Sequence, residues 1–330
     1  MRSKLLELQQ PLISIIVTTF NSALYVIETL ESSKAQTWQN LELIISDDCS
    51  TDDTVEICRS WIAQNEGRFL RTELITVLVN TGVSANCNRC IKVSGQEWIK
   101  FIAGDDILLP NCIADNVAFV KENPDAKVVF SEVLLYQNDF TAANYLHTIP
   151  GIYPMNVMNP AFTANDQYKI LLISDRITYT PSVFLNRLAL LQVGGYDETN
   201  RLIEDYPMWL KLTRAGSKLY FFKKPTVGYR RHQAAANNME LYGLFKPLFF
   251  KAAAIRKKEV YPYLPWDIVA SEKHVVMVSK IFQQIGMNKK VPLYASLYKI
   301  GTVYLNPFQY VVLFKRKVLK YGRINIFYAD

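Results

Sequence analysis

The chain opens on an unbroken apolar, β-branched run, Leu12–Thr18 (LISIIVT), the pattern of a strand covered on both faces. Asn21 follows as a candidate cap for a helix with Leu24, Ile27 and Leu30 at helical spacing. The alternation then repeats. Leu41–Ser46 predicts a second buried strand, and Ser50 or Thr51 can cap a helix with Val55, Cys58, Trp61 and Ile62 on one face. Leu74–Val79 predicts a third strand and Val83–Val93 a helix; Trp98–Ala103 predicts a fourth strand. Pro110 suits the first turn of a helix with Ile113, Val117 and Val120 inward, and Lys127–Tyr136 predicts a fifth strand.

Strands and helices that alternate through short connections imply an α/β fold with a parallel, doubly wound sheet. Ligands of such sheets bind beyond the carboxyl ends of the strands. Polar groups gather there: Thr18 to Asn21, Asp47-Asp48, Asn80 with Gly82, and Gly104-Asp105-Asp106. Beyond residue 136 the pattern loosens. An uncharged stretch, Phe140–Asn165, reads as a loop because of Pro150, Gly151, Pro154 and Pro160. Helices are expected near Tyr168–Ser174, Arg187–Val193 and Ile203–Ala215, and short strands at Leu219–Phe222 and Val227–Arg230. From about residue 237 the chain reads as mostly helical.

Charge sharpens this division. The 330 residues carry 37 Lys+Arg and 30 Asp+Glu, a net of +7. Residues 251–330 hold 14 basic and 4 acidic side chains, a net of +10, so residues 1–250 are left with 23 and 26, a net of −3. The basic character belongs to one end of the chain and suggests an interaction surface there. No apolar run reaches the roughly 18 residues of a membrane-spanning helix, and residues 1–10, with Glu7, do not read as a secretory signal. Five cysteines in the first third form no disulfide framework, and Cys87-x-x-Cys90 reads as two small buried residues one turn apart. A reduced, cytoplasmic setting is expected.

Three acidic or basic groups carry candidate chemistry. Asp105 and Asp106 are adjacent carboxylates at a strand end, which repel unless a cation or donors compensate them. Oxygen ligands suit Mg²⁺ or Mn²⁺ shared with phosphate oxygens, and neither common glycine-rich phosphate loop is present. Alone, the pair reads more readily as a turn with a helix cap. Glu204-Asp205 opens a helix, where acids favour the helix dipole, and alone that reading is preferred; a functional reading makes Asp205 the general base for an acceptor hydroxyl. His232, beside Arg230 and Arg231, is either a solvated strand end or part of a cationic phosphate site.

The order of these pieces is more specific than any one of them. SIIVTTFN (14–21), SDDCSTDDT (46–54), N-x-G-x-x-x-x-x-N (80–88), WIKFIAGDDILLP (98–110), GGYDE (194–198), EDYPMWLKL (204–212) and GYRRH (228–232) together resemble glycosyltransferase family 2, over roughly residues 11–235. The resemblance implies an inverting enzyme on the GT-A fold: a Rossmann-like, mostly parallel sheet flanked by helices, with a mostly helical C-terminal extension. It implies a nucleotide-sugar-binding catalytic domain over 1–235 and a basic C-terminal region over 236–330. It places Thr18 and Phe20 against the nucleotide base, Asp48 on base or ribose, Asp105 near the ribose, and Asp106 on the metal. Arg231 and His232 would close over the diphosphate, with His232 a further metal ligand. Asn21 and Asn80, at neighbouring strand ends, join the donor-binding set. Asp205 would be the base. Many relatives carry an aspartate where this chain has Ala103.

The expected reaction is metal-assisted transfer from a nucleotide diphosphate sugar, a UDP-sugar by expectation, to a hydroxyl of a glycan or lipid-linked glycan in polysaccharide biosynthesis. Two other classes are weighed: a sugar-1-phosphate nucleotidyltransferase, whose glycine-rich signature is absent, and a non-catalytic glycan- or membrane-binding relative. In the tail, Phe308, Val311, Val312, Val318 and Leu319 interleave with Lys315-Arg-Lys317, Lys320 and Arg323. That pattern fits either a helical subdomain with a solvated basic face or a peripheral contact with the anionic inner face of the cell membrane. Nucleic acid is not expected, since no recognition motif accompanies the charge.

Overall fold

Strand β1 (Ile13–Thr19) lies at the centre of the sheet between β2 (Leu41–Asp47) and β4 (Trp98–Ala103), parallel to both, and its apolar run is buried on both faces. The computed structural model describes residues 10–150, 157–175, 177–232, 243–245 and 248–319. Among these, nine strands run in the order β3-β2-β1-β4-β8-β6-β9-β5, with β7 added alongside β6. The remaining strands are β3 (Arg71–Thr76), β5 (Ile107–Leu108), β6 (Val128–Gln137), β7 (Tyr145–Ile149), β8 (Phe184–Asn186) and β9 (Leu219–Arg231). The helices up to residue 214 are α1 (Val26–Lys34), α2 (Thr54–Asn65), α3 (Val83–Val93), α4 (Cys112–Glu122), α5 (Ala164–Ile173), α6 (Arg187–Gln192) and α7 (Asp205–Arg214).

The sheet is mixed, not all parallel. β8 runs antiparallel to both β4 and β6, β5 antiparallel to β9, and β7 antiparallel to β6. β6 and β9 are parallel over ten register positions, with an irregularity at Ser131–Val133 opposite Pro225. The two short strands expected at 219–222 and 227–230 are therefore one strand carried past a proline. The third strand also lies earlier than expected. It pairs with Glu42–Asp47 and stops where β2 stops, so Leu78 and Val79 have no partner and are 97% and 69% exposed.

Caps differ as well. α1 begins at Val26 behind Tyr25; Asn21 adopts φ 51° and its Oδ1 accepts from the Thr51 amide at 2.8 Å, tying the first strand end to the second. At α2 it is Asp52, not Ser50 or Thr51, that accepts from Thr54 N at 3.1 Å. Pro110 precedes Asn111, the residue before α4. The uncharged stretch contains β7 and the start of α5; residues 151–156 lie outside the described residues.

The chain separates into two compact units, residues 1–167 with 176–232, and residues 168–175 with 233–330. The second is helical over its described length. It contains α8 (Phe249–Ile255), which runs on as a wider turn through Val260, then α9 (Trp266–Gln284), α10 (Pro292–Lys299) and α11 (Pro307–Leu319). Val260, Ile268, Val278, Phe282 and Val312 are buried there. Asp267, fully buried, pairs with Lys315 at 3.1 Å, and Arg256 pairs with Glu272 at 2.5 Å. One of the tail's basic groups is thus spent inside the unit. Lys320, Arg323 and the expected domain boundary at 235/236 lie outside the described residues.

Candidate active site

The carboxyl edge of β1, β2, β3 and β4 collects the sequence candidates. Because β8 runs the other way, its leading segment, Thr180–Val183, lies at the same edge; β6 and β9 end there too. Thr18 is half-buried, its carbonyl accepting from Gly104 N at 2.9 Å. Phe20 is 49% exposed. Asp47 is buried and holds the β1 and β2 ends together, accepting from Thr19 Oγ1 at 2.8 Å and Ser50 N at 2.7 Å.

Asp48, expected on the base or ribose, is engaged by neighbouring groups of the protein. Its carboxylate accepts from Thr81 Oγ1 at 2.6 Å, Gly82 N at 2.6 Å, Arg89 Nη2 at 2.8 Å and Thr81 N at 3.1 Å. These donors occupy the roughly four acceptor sites of a carboxylate. Burial pulls its pKa up, but the bonds from Thr81 and Arg89 outweigh that and hold it below the usual value. In this arrangement Asp48 clamps the loop after β3. Arg201 holds the loop from the other side, its Nη2 donating to Asn80 O at 2.6 Å and Asn80 Oδ1 at 2.7 Å. The expected donor contact Asn80 is thereby engaged through its carbonyl oxygen.

After β4 the chain turns at Asp105-Asp106 and returns as β5, paired with Val227 and Gly228 of β9. This pairing brings Arg230 and His232 to the acidic pair. The two carboxylates face different surroundings. Asp105 is half-buried and its Oδ2 lies 3.1 Å from His232 Nε2. Asp106, expected to ligate the metal, is 1% exposed, and its Oδ1 accepts from the Arg230 amide at 2.9 Å. Burial first, and Asp105 second, push the Asp106 carboxyl well above the ordinary range. Ala103 is exposed.

Arg230 organises this corner. It is 2% exposed, donates to Asp105 O at 2.8 Å and Asn138 O at 2.5 Å, and pairs with Glu28 at 3.0 Å. Its guanidinium lies between Tyr25 and Phe140, 4.6 and 4.3 Å from the ring centroids. Arg231, the next residue on the strand, points the other way and is exposed. The His232 ring sits 4.5 Å from the Tyr25 ring, and its buried Nδ1 finds no hydrogen-bond partner among the described residues.

A metal would fit here only in part-protein coordination. Among the described residues no group of three or more His, Cys, Asp or Glu side chains is placed to hold an ion. Asp105 and His232 supply one oxygen and one nitrogen donor, with a His232 nitrogen unspent; such a pair suits Mg²⁺ or Mn²⁺ completed by phosphate oxygens and water. Asp106 is turned into the protein and does not fit that role.

The expected base opens α7. Asp205 Oδ2 accepts from Thr180 Oγ1 at 3.0 Å and Oδ1 from Tyr206 N at 2.7 Å, leaving acceptor capacity for an incoming hydroxyl. Thr180 is positioned through Lys100, a fully buried lysine of β4 whose Nζ donates to Pro181 O at 2.5 Å and Val183 O at 3.2 Å. Burial raises the Asp205 pKa; it also raises that of Glu204, with the Asp205 charge as the second cause. Side by side, the two carboxyls cannot both ionise easily. The donors on Asp205 favour its charged form, so Asp205 ionises first and Glu204 keeps its proton.

Arg89, Arg201 and Lys100 were not singled out from the sequence, and Arg230 entered only as a neighbour of His232. The β9 alternation could have identified Arg230, which shares a face with buried Thr226 and Gly228; the others depend on tertiary contacts.

Comparison with known proteins places this geometry. The profile of Glycosyl transferase family 2 matches residues 14–179, half of the chain, which includes the strand ends through Asp106 but not Asp205 or His232. An uncharacterized glycosyltransferase of Rickettsia prowazekii is 26% identical over 239 residues, covering 71% of this chain and 69% of its own. TarS 1-349 of S. aureus, solved in complex with UDP-GlcNAc, superposes with a TM-score of 0.52 at 17% identity, over 95% of this chain and 76% of that one. The mannosyltransferase PcManGT from Pyrobaculum calidifontis, solved with GDP-Man and Mn2+, gives 0.50 at 13% identity, over 97% and 78%. The last two share the fold. With the family profile resting on the same strand ends that carry the polar cluster, the chain belongs to glycosyltransferase family 2 and is a transferase of the GT-A fold.

Proposed function

We propose that this enzyme moves a sugar from a nucleoside diphosphate sugar to a hydroxyl of a glycan or lipid-linked glycan, inverting the anomeric carbon. The observation that carries this reading is Asp205, a carboxylate held by Thr180 and its own helix amide with acceptor sites left over, at the sheet edge that also bears Asp105 and His232. Asp205 takes the proton of the acceptor hydroxyl as its oxygen attacks the anomeric carbon from the face opposite the diphosphate. The C–O bond to the diphosphate breaks with its electron pair leaving on the phosphate oxygen. No nucleophile of the protein is needed.

Thr18 and Phe20 hold the base, and Arg231, exposed at the end of β9, meets the diphosphate. Asn21, Asp48 and Asn80 act by fixing the loops around them. Asp105 and His232 would hold the divalent cation, which supplies charge neutralisation to the leaving diphosphate. The UDP-GlcNAc of TarS and the GDP-Man and Mn2+ of PcManGT support a nucleotide-sugar donor and a divalent ion; a UDP-sugar is the reading taken. Residues 1–235 form the catalytic domain and 236–330 a basic region that we place against the cytoplasmic face of a membrane, in polysaccharide biosynthesis. No helix among the described residues is long and apolar enough to cross one.

The decisive variant is Asp205→Asn. Transfer should fall by roughly 10²–10⁴-fold, the range of general-base catalysis, while the thermal shift produced by UDP with Mn2+ persists. Near-normal turnover in that variant would remove the base assignment.

A further inference from the structure

A groove of about 930 Å³ runs along α9 within the helical unit. One wall carries Phe250 and Lys257, the other Lys273, Met277, Lys280 and Ile281. The α9 positions are spaced i, i+4, i+7 and i+8, so they share one helix face, and Phe250 and Lys257 stand two turns apart on theirs. Two features set this face apart from an ordinary solvated one. Its apolar groups are in water: Met277 is 52% and Ile281 46% exposed. Its lysines also have no ion-pair partner among the described residues, and no acid lines the groove. Nearby Lys258 and Lys315, by contrast, pair with Glu259 and Asp267, each at 3.1 Å.

We propose that this groove seats an anionic phospholipid at a bilayer surface. The three ammonium groups meet the phosphate headgroup, and the side chains of Phe250, Met277 and Ile281 meet the first methylenes of the acyl chain. The charge decides the class of partner. An uncharged amphiphile would leave three unpaired lysines desolvated at the contact, which is costly. A nucleic acid would find only the half-buried rings of Phe250 and Tyr261 among aliphatic side chains, not a row of exposed stacking platforms. An anionic bilayer satisfies both halves of the surface at once, since the long lysine stems can lie along the apolar floor with their ends at headgroup level. Trp266, 64% exposed in the same unit, is of the residue type that favours that boundary. The inference does not rest on the transfer reading; it stands or falls with the groove.

The test is flotation of the full chain with vesicles of phosphatidylglycerol and phosphatidylcholine in equal parts, against phosphatidylcholine alone. Wild type should float with the mixed vesicles only. Each lysine near an anionic surface is worth about fivefold in partitioning, so Lys273→Gln with Lys280→Gln should weaken binding by roughly thirtyfold. Met277→Gln with Ile281→Gln should weaken it too. Because all four side chains are at the surface, thermal melts should overlay wild type and exclude misfolding as the cause. Equal flotation of wild type and the lysine pair would overturn the proposal. So would equal binding to phosphatidylcholine alone, or a concentration-dependent dimer dissociated by the Met277/Ile281 pair, which would make a second copy the occupant.

Discussion

A guanidinium held between Tyr25 and Phe140 while donating to Asp105 O and Asn138 O has no freedom left to follow a ligand. Arg230 therefore acts on the protein, whereas Arg231 is exposed and, on the proposed reading, meets the diphosphate. Arg230→Ala would strand the Asp105 and Asn138 carbonyls and remove the pairing to Glu28. The cost should be about 3 kcal/mol, which lowers the Tm of a unit this size by roughly 6–12 °C. Arg231→Ala should leave the Tm unchanged and raise the KM for donor about tenfold or more, the loss of one charge-assisted contact to phosphate. Melts and kinetics of the two variants side by side would check this; identical behaviour would dissolve the division of labour. At this scale the sequence was a partial guide. It located the Asp105-Asp106 pair, Asp205 and the Arg230-Arg231-His232 run, because charged residues at the ends of buried strands are conspicuous. It could not say which of two neighbours points outward, since β5 reverses the chain immediately after Asp106 and that reversal rests on only two paired residues.

The legible elements are the ones whose burial is written along their whole length. β1, β2 and β4 are long, apolar and central, and their expected ends lie within a residue of the observed ones. β3 is amphiphilic and at the edge, so its register follows β2 and not its own hydrophobic maximum at Leu74–Val79. β5 and β8 are two and three residues long, too short to carry a period; they exist because β9, β4 and β6 offer partners. The loop after β3 depends on one glycine. Gly82 has φ 92° and ψ 165°, a conformation essentially reserved for glycine. A Cβ there would stand 2.6 Å from Arg201 Cβ and 2.7 Å from Arg201 O. Gly216, with φ 90°, has nothing within 4 Å of the same position. Gly216→Ala should therefore cost about 1 kcal/mol of backbone strain alone, and Gly82→Ala about 2–4 kcal/mol, because the Arg201 segment must also move. Since Arg201 lies four residues before Asp205, Gly82→Ala should lower kcat as well, and Gly216→Ala should not. Denaturant midpoints and initial rates for the pair would test it; equal costs would mean that the loop yields freely.

For the whole molecule, the charge division between the first 250 residues and the remainder was visible from composition, but its use was not. Lys315 turns inward to Asp267, whereas Lys257, Lys273 and Lys280 are left along a groove, and only packing separates the two cases. The acids of the catalytic unit show a similar split, with consequences for pH. Glu204 and Asp205 are raised by burial, so the folded state keeps their protons to higher pH than the unfolded chain does. Their contribution to stability is complete below the ordinary values of 4.5 and 3.8 and is lost as pH rises into the neutral range. Asp48 has the opposite sign. Its lowered pKa stabilises the fold above 3.8, and that stability is lost as pH falls through the folded value. Replacing Glu204 by Gln removes one buried proton site and the repulsion it feels from Asp205. Glu204→Gln should consequently gain on wild type as pH climbs above 4.5, with a slope of at most about 1.4 kcal/mol per pH unit for a single proton. Replacing Asp48 by Asn should cost most near neutrality and progressively less in acid. Urea midpoints of the three proteins across the acid-to-neutral range would read both trends, and curves that run parallel to wild type would show that neither carboxyl titrates differently in the folded state.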